Sequence, residues 1–150
     1  MTVHDYLSQY ADAILTAMET RRIIADLDTL KTCISTSTPP NAAGYRHKTG
    51  GVQYGYADII ADIDAKKRDL HLQVITCLAT LECIRTTIEI LSDDRYRHLL
   101  TLRYINRLTW EQIAHYLDKD TRYIYKLRNK AFDALCVAFP GKFDRGDNHA

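Results

Sequence analysis

Between residues 119 and 130, five basic side chains (Lys119, Arg122, Lys126, Arg128 and Lys130) stand against one acid, Asp120. Cations gathered this closely can hold phosphate oxygens, and Arg, Lys and Asn can also bond base edges in a DNA groove. The stretch reads as a helix, because Ile124, Leu127, Ala131 and Leu135 fall on one face. At about 100° per residue, the positions opposite Ile124 are Arg122, Lys126 and Asn129. Thr121 and Tyr125 flank them on one side, Tyr123 and Lys130 on the other. These seven are the candidate DNA-binding residues: Arg and Lys for guanine edges and phosphates, Asn for adenine, an aromatic ring for a thymine methyl. Arg128 falls nearer the buried face and is the weaker candidate. A merely solvated helix face would have the same composition, and only its context argues otherwise.

No competing chemistry stands out elsewhere. The chain has no G-x-S-x-G, no Gly-rich phosphate loop, no H-E-x-x-H and no Asp-rich metal loop. Its six histidines are scattered, and Cys33, Cys77, Cys83 and Cys136 sit in apolar helical stretches without a C-x-x-C pair. The expectation is a protein with no catalytic residue, no metal site and no cofactor, its thiols reduced in a cytoplasm.

The basic stretch must be carried by the elements around it, and these read as three helices. Ser92 can cap a first helix running to about Asn106, with Tyr96, Leu99, Leu100 and Ile105 as apolar contacts. Thr109-x-x-Gln112 has capping-box spacing ahead of Ile113, Ala114 and Leu117 and opens a second. Asp120 opens the third. Two helices across a tight turn, with a small Ala114 where they approach, describe a helix-turn-helix. Trp110, on the second helix, is assigned to packing.

Residues 91–135 resemble region four of bacterial sigma factors, and more closely the sigma-region-four-like regulators of phages and prophages of the RinA and ArpU type. The residues that carry this are Leu99-x-x-Leu102-Arg103-Tyr104, Leu108-Thr109-Trp110-Glu111-Gln112-Ile113-Ala114-x-x-Leu117 and Ile124-x-x-Leu127-x-x-x-Ala131. The glycine-rich break near residue 50 and the helix after it are similar to the phage group as well. The resemblance implies promoter contacts for Thr121, Arg122, Tyr123, Tyr125 and Lys126. One departure concerns the turn after the second helix, where the family usually has glycine and this chain has Asp118. Aspartate tolerates the left-handed conformation better than most residues, so the turn is expected to persist at some cost.

The remaining chain reads as support. Net charge is only +1, so bulk charge does not explain nucleic-acid binding; residues 93–135, with nine basic and six acidic groups, hold a local excess. Residues 4–34 lack Gly and Pro, with a stripe through Leu7, Ala11, Ile14 and Met18 that shifts phase at Arg21 and Arg22 into Ile24, Leu27, Leu30 and Ile34. Residues 35–56, with two prolines and four glycines, break the helix. There Arg46, His47 and Lys48 between Tyr45 and Tyr54 could touch a nucleic-acid backbone, although a flexible connector accounts for the composition better. From Tyr56 the residues Ile60, Ile63, Lys67, Leu70, Val74, Cys77, Leu81, Ile84, Ile88 and Leu91 alternate by four and three, a coiled-coil seam in which Lys67 lays its aliphatic stem.

The expected fold is therefore all-α: a long antiparallel helical hairpin over residues 1–92 with a loop at 35–56, a helix-turn-helix domain over 93–138, and a flexible tail over 139–150. The function implied is a phage or prophage transcription regulator, in the cytoplasm of the host bacterial cell, binding promoter DNA through residues 120–135. Its partners would be double-stranded DNA, host RNA polymerase as a second candidate and another copy of the chain (a dimer favoured), with no membrane. Two alternatives stay open: a phage small terminase subunit that marks packaging DNA, and an interaction protein that docks on polymerase without reading DNA. Fold alone does not separate them.

Overall fold

The computed structural model describes residues 1–37 and 55–144. Arg46, His47, Lys48, Tyr45 and Tyr54, with residues 145–150, lie outside the described residues. The described chain is all-helical: α1 is Val3–Ser37, α2 Tyr56–Glu89, α3 Asp94–Leu100 continued by a π-helical segment Thr101–Ile105, α4 Trp110–Tyr116 and α5 Thr121–Ala138. No strand occurs among the described residues, and no helix there is long and apolar enough to cross a membrane. The two long helices pack as a hairpin, followed by the shorter ones. α1 runs to Ser37, two residues past the start of the break expected over 35–56, and α2 starts at Tyr56, its last residue.

Both long helices begin at side-chain caps. The Thr2 hydroxyl accepts the Asp5 N–H at 3.1 Å while the Asp5 carboxylate accepts the Thr2 N–H at 3.4 Å. In α2 the Asp58 carboxylate accepts the Gly55 N–H at 3.0 Å. Each satisfies donors that a helix start otherwise leaves open.

The residues form two compact units, one of Met1–Leu15 with the described residues from Cys77 on, the other within Thr16–Thr76. In the second unit α1 and α2 are cross-linked by charge. Lys31 Nζ donates to both Asp64 oxygens at 2.8 and 3.0 Å, and Lys67 pairs with Asp28. As α1 numbering falls from 31 to 28, α2 numbering rises from 64 to 67, which makes the pair antiparallel. The Lys31 ammonium beside Asp64 holds that carboxyl below its usual range. Lys67 behaves as its seam position requires, its side chain largely covered and its ammonium carried out to a carboxylate.

The α2 seam is the expected one. Ile63, Leu70, Ile84, Ile88 and Leu91 are buried and Ile60, Lys67, Val74, Cys77 and Leu81 half-buried, with only Tyr56 exposed. The α1 seam is not. It runs without a phase shift through Val3, Tyr6, Tyr10, Ala13, Ala17, Thr20, Ile24, Leu27, Lys31 and Ile34, all buried or half-buried, stepping by three and four throughout. Met18 and Leu30, expected inside, are 65% and 48% exposed. The small Ala13, Ala17 and Thr20 are buried but leave little hydrophobic signal in the sequence. Cys33 and Cys83, placed in apolar stretches by the sequence, are also exposed; Cys136 is buried, and none of the four forms a disulfide.

The first unit has two cores. One joins Val3, Tyr6 and Leu7 of α1, Ile84 and Ile88 of α2, Leu100 and Tyr104, and Ala131, Phe132, Leu135 and Cys136 of α5. The other joins Leu99, Leu102, Ile113, Ala114, Ile124 and Leu127. In the segment from residue 139, expected as a flexible tail, Phe139 is half-buried and Phe143 buried, while Pro140, Gly141, Lys142 and Asp144 are exposed. Phe143 is 7% exposed and stacks near Tyr6 (5.4 Å) and Phe139 (6.2 Å), with the Lys142 ammonium 4.1 Å from the Tyr6 ring.

If α2 packs through this seam, two truncations on it must differ. Ile84→Ala, at a fully buried position, should cost about 2–5 kcal/mol. Leu72→Ala, at a residue 62% exposed, should stay within about 0.5 kcal/mol of the parent. Urea titration followed by circular dichroism separates them; equal midpoints would contradict the seam.

Candidate nucleic-acid interface

The first helix of the three that frame the basic stretch starts one residue later than expected. Asp93, not Ser92, is the cap, its carboxylate accepting the Arg95 N–H at 2.9 Å and also the Arg95 side chain, which holds the carboxyl below its usual range. α3 then widens into a π turn in which the Asn106 N–H reaches the Thr101 carbonyl at 2.9 Å. Arg107 follows at φ 61°, and the Leu108 N–H returns to the Leu102 carbonyl at 3.1 Å. Nothing in the sequence periodicity signals this turn.

α4 opens with the expected capping box: Thr109 Oγ1 accepts the Gln112 N–H at 3.2 Å, and Gln112 Oε1 accepts the Thr109 N–H at 2.8 Å. It closes in a Schellman motif. The Lys119 N–H reaches the Ala114 carbonyl at 2.9 Å and the Asp118 N–H the His115 carbonyl at 3.2 Å. Asp118, at φ 51°, occupies the left-handed position that glycine would fill without strain. Asp120 then caps α5, its carboxylate accepting the Arg122 N–H at 3.3 Å. The turn between the two helices is thus only residues 117–120, hydrogen-bonded at both ends.

α5 buries Ile124, Leu127, Ala131 and Leu135, the expected face, together with Phe132 and Cys136. Of the seven candidate residues, Arg122, Tyr123, Lys126 and Lys130 are exposed, and Thr121, Tyr125 and Asn129 half-buried. Among the described residues, Lys119, Arg122, Lys126 and Lys130 carry no ion pair, although the Arg85–Glu89, Arg95–Asp93 and Arg97–Asp94 pairs form in the same unit. The four cations therefore project into solvent uncompensated.

Two candidates are engaged in the fold. The Tyr125 ring lies 6.2 Å from Trp110, and the Arg128 guanidinium sits 5.1 Å from Tyr125 and 5.9 Å from Trp110. Trp110 also meets Arg103 at 5.1 Å, whose Nη1 donates to the Leu108 carbonyl at 2.9 Å. Among the described residues, Arg103 Nε is buried without a hydrogen-bond partner. Trp110 is half-buried against the second core, a packing residue as expected, and meets two guanidinium groups. Arg103 was absent from the sequence-derived site; the available signal was that Arg103 and Arg128 each directly follow a buried leucine, Leu102 and Leu127. Arg128 in turn donates from Nε and Nη2 to Asn129 Oδ1 at 3.1 and 3.0 Å.

The turn yields a stability test. Asp118→Gly should raise stability by about 1 kcal/mol by relieving the left-handed backbone, and Asp118→Val should lower it. Thermal melts of both variants measure this; a lower melting temperature for Asp118→Gly would mean that the aspartate side chain holds the turn.

No curated protein and no solved structure matches the chain. The sequence pattern of one family, described as "Protein of unknown function (DUF1492)", matches residues 42–136. That match takes in all of α2, α3 and α4 and most of α5, more than half of the sequence, and the chain belongs to the DUF1492 family.

Proposed function

We propose that this protein is a sequence-specific DNA-binding transcription regulator of a phage or prophage, which lays α5 on promoter DNA as the second helix of a helix-turn-helix. The observation that carries the reading is the uncompensated cationic face of Lys119, Arg122, Lys126 and Lys130, on a helix fixed from behind by Ile124 and Leu127. A rigid helix with unpaired cations on its outer side suits the major groove, which admits a helix and displays base edges. Arg122, near the start of α5, is suited to a base edge. Lys119, just ahead of α5, and Lys130, two turns further along, are suited to phosphates on either side. The reading needs no catalytic step and no cofactor. A homodimer fits it, since a two-helix unit leaves Met18, Leu72 and Ile75 at 60 to 65% exposure, and paired readers bind half-sites about one helical turn apart.

Two variants should fail differently. Arg122→Ala should weaken binding to the preferred site by about 1–3 kcal/mol and to random DNA much less. Lys130→Ala should weaken both alike and lower the salt slope by about one. Titrations of site and non-site duplexes at several salt concentrations measure both effects. If neither variant changes binding while circular dichroism shows an intact fold, α5 is not the DNA-reading helix.

A further inference from the structure

Asn129 is expected to read adenine because a free amide offers both an acceptor and donors. Its surroundings remove the acceptor. Arg128 Nε and Nη2 both point at Asn129 Oδ1, at 3.1 and 3.0 Å. A guanidinium has five donors and no acceptor, so the atom facing it must be the amide oxygen. The group left over is the amide N–H2, which can only donate. Arg128 is not free to swing away. Its guanidinium lies 5.1 Å from the Tyr125 ring and 5.9 Å from each of the Trp110 and Phe132 rings, and its side chain is half-buried.

In the major groove adenine shows an acceptor, N7, beside a donor, the N6 amino group, whereas guanine shows two acceptors, N7 and O6. A donor-only amide suits guanine and is opposed by the adenine amino group. We infer that Asn129 reads guanine rather than adenine, and that Arg128, held by Trp110, Tyr125 and Phe132, is the positioning residue that imposes the choice. This rests on the reading of α5 as the DNA-facing helix.

The experiment uses the full chain and duplexes enriched by it from a randomised pool, each base pair then permuted in turn. At one base pair the parent should prefer guanine over adenine by on the order of tenfold or more. Asn129→Ala should flatten the preference at that pair alone. Arg128→Met, which keeps an apolar stem and removes the donors, should move the same pair toward adenine. A purely structural arginine would weaken every duplex together and leave the order of bases unchanged, which would overturn its positioning role. Fluorescence of Trp110, the sole tryptophan, together with a melt checks that the variant is folded. Should Arg128→Met unfold, the parent and Asn129→Ala profiles decide the guanine assignment without it. An adenine preference at the pair that depends on Asn129, or no pair that depends on it, overturns the inference and leaves the proposed function standing. Failure of the parent to select any sequence removes both.

Discussion

Packing of Ala131, Phe132 and Leu135 against Val3, Leu7, Ile84 and Ile88 ties the second half of α5 to the base of the hairpin. The first half of the same helix is held by a different core, through Ile124 and Leu127 against Leu99, Leu102, Ile113 and Ala114. One helix of 18 residues therefore serves two cores and still leaves a full face outward. That division sets what the exposed face can be. Its side chains move on a backbone fixed at both ends, so the spacing of Arg122, Lys126 and Lys130 is a property of the fold rather than of a loop. Such preorganisation matters for any surface that must match a rigid partner, because ordering costs are met on folding and not on binding.

The ends of α4 show how the rest accommodates this arrangement. Arg107 before it and Asp118 after it both have positive φ, and neither is glycine. The π turn ahead of Arg107 adds a residue to the last turn of its helix, and the Schellman motif around Asp118 turns the chain into the α5 cap within residues 117–120. Both connections trade local backbone strain for hydrogen bonds that close the helix ends. The Trp110 ring, with the Arg103 and Arg128 guanidinium groups over it, joins the π turn, α4 and α5 in the same region.

Much of this was legible in the sequence where large side chains or caps carried the signal. The α2 seam follows the alternation of Ile60, Ile63, Leu70, Val74, Ile84 and Ile88, and the caps at Thr109 and Asp120 stand where the residue types put them. On α1 the stripe is legible at Leu7, Ile14, Ile24, Leu27 and Ile34 but not between, where Ala13, Ala17 and Thr20 pack inward while Met18 faces out; hydrophobicity marks a face only when the buried residues are the strongly apolar ones. Ser92 lost the cap to its neighbour Asp93, a choice between two good capping residues that composition cannot make. In the candidate site, the exposure of Arg122, Lys126 and Lys130 follows from helix angles alone. The capture of Asn129 by Arg128 does not. It joins sequential neighbours, which do not face each other on a helix surface, and it depends on rings brought from α4 and from elsewhere along α5.

The paired lysines of the hairpin act as a ruler. Lys31 and Lys67 both occupy seam positions, each facing an aspartate on the opposite helix, with the two pairs set three residues apart on each strand of the hairpin. Slide one helix past the other by a heptad and both ammonium groups sit on an apolar seam with no carboxylate in reach, an arrangement that a hydrophobic stripe by itself would tolerate. Alignment of the two helices is therefore written in the helices themselves, independent of whatever chain connects them, so the hairpin can find one register among several that its apolar residues would accept.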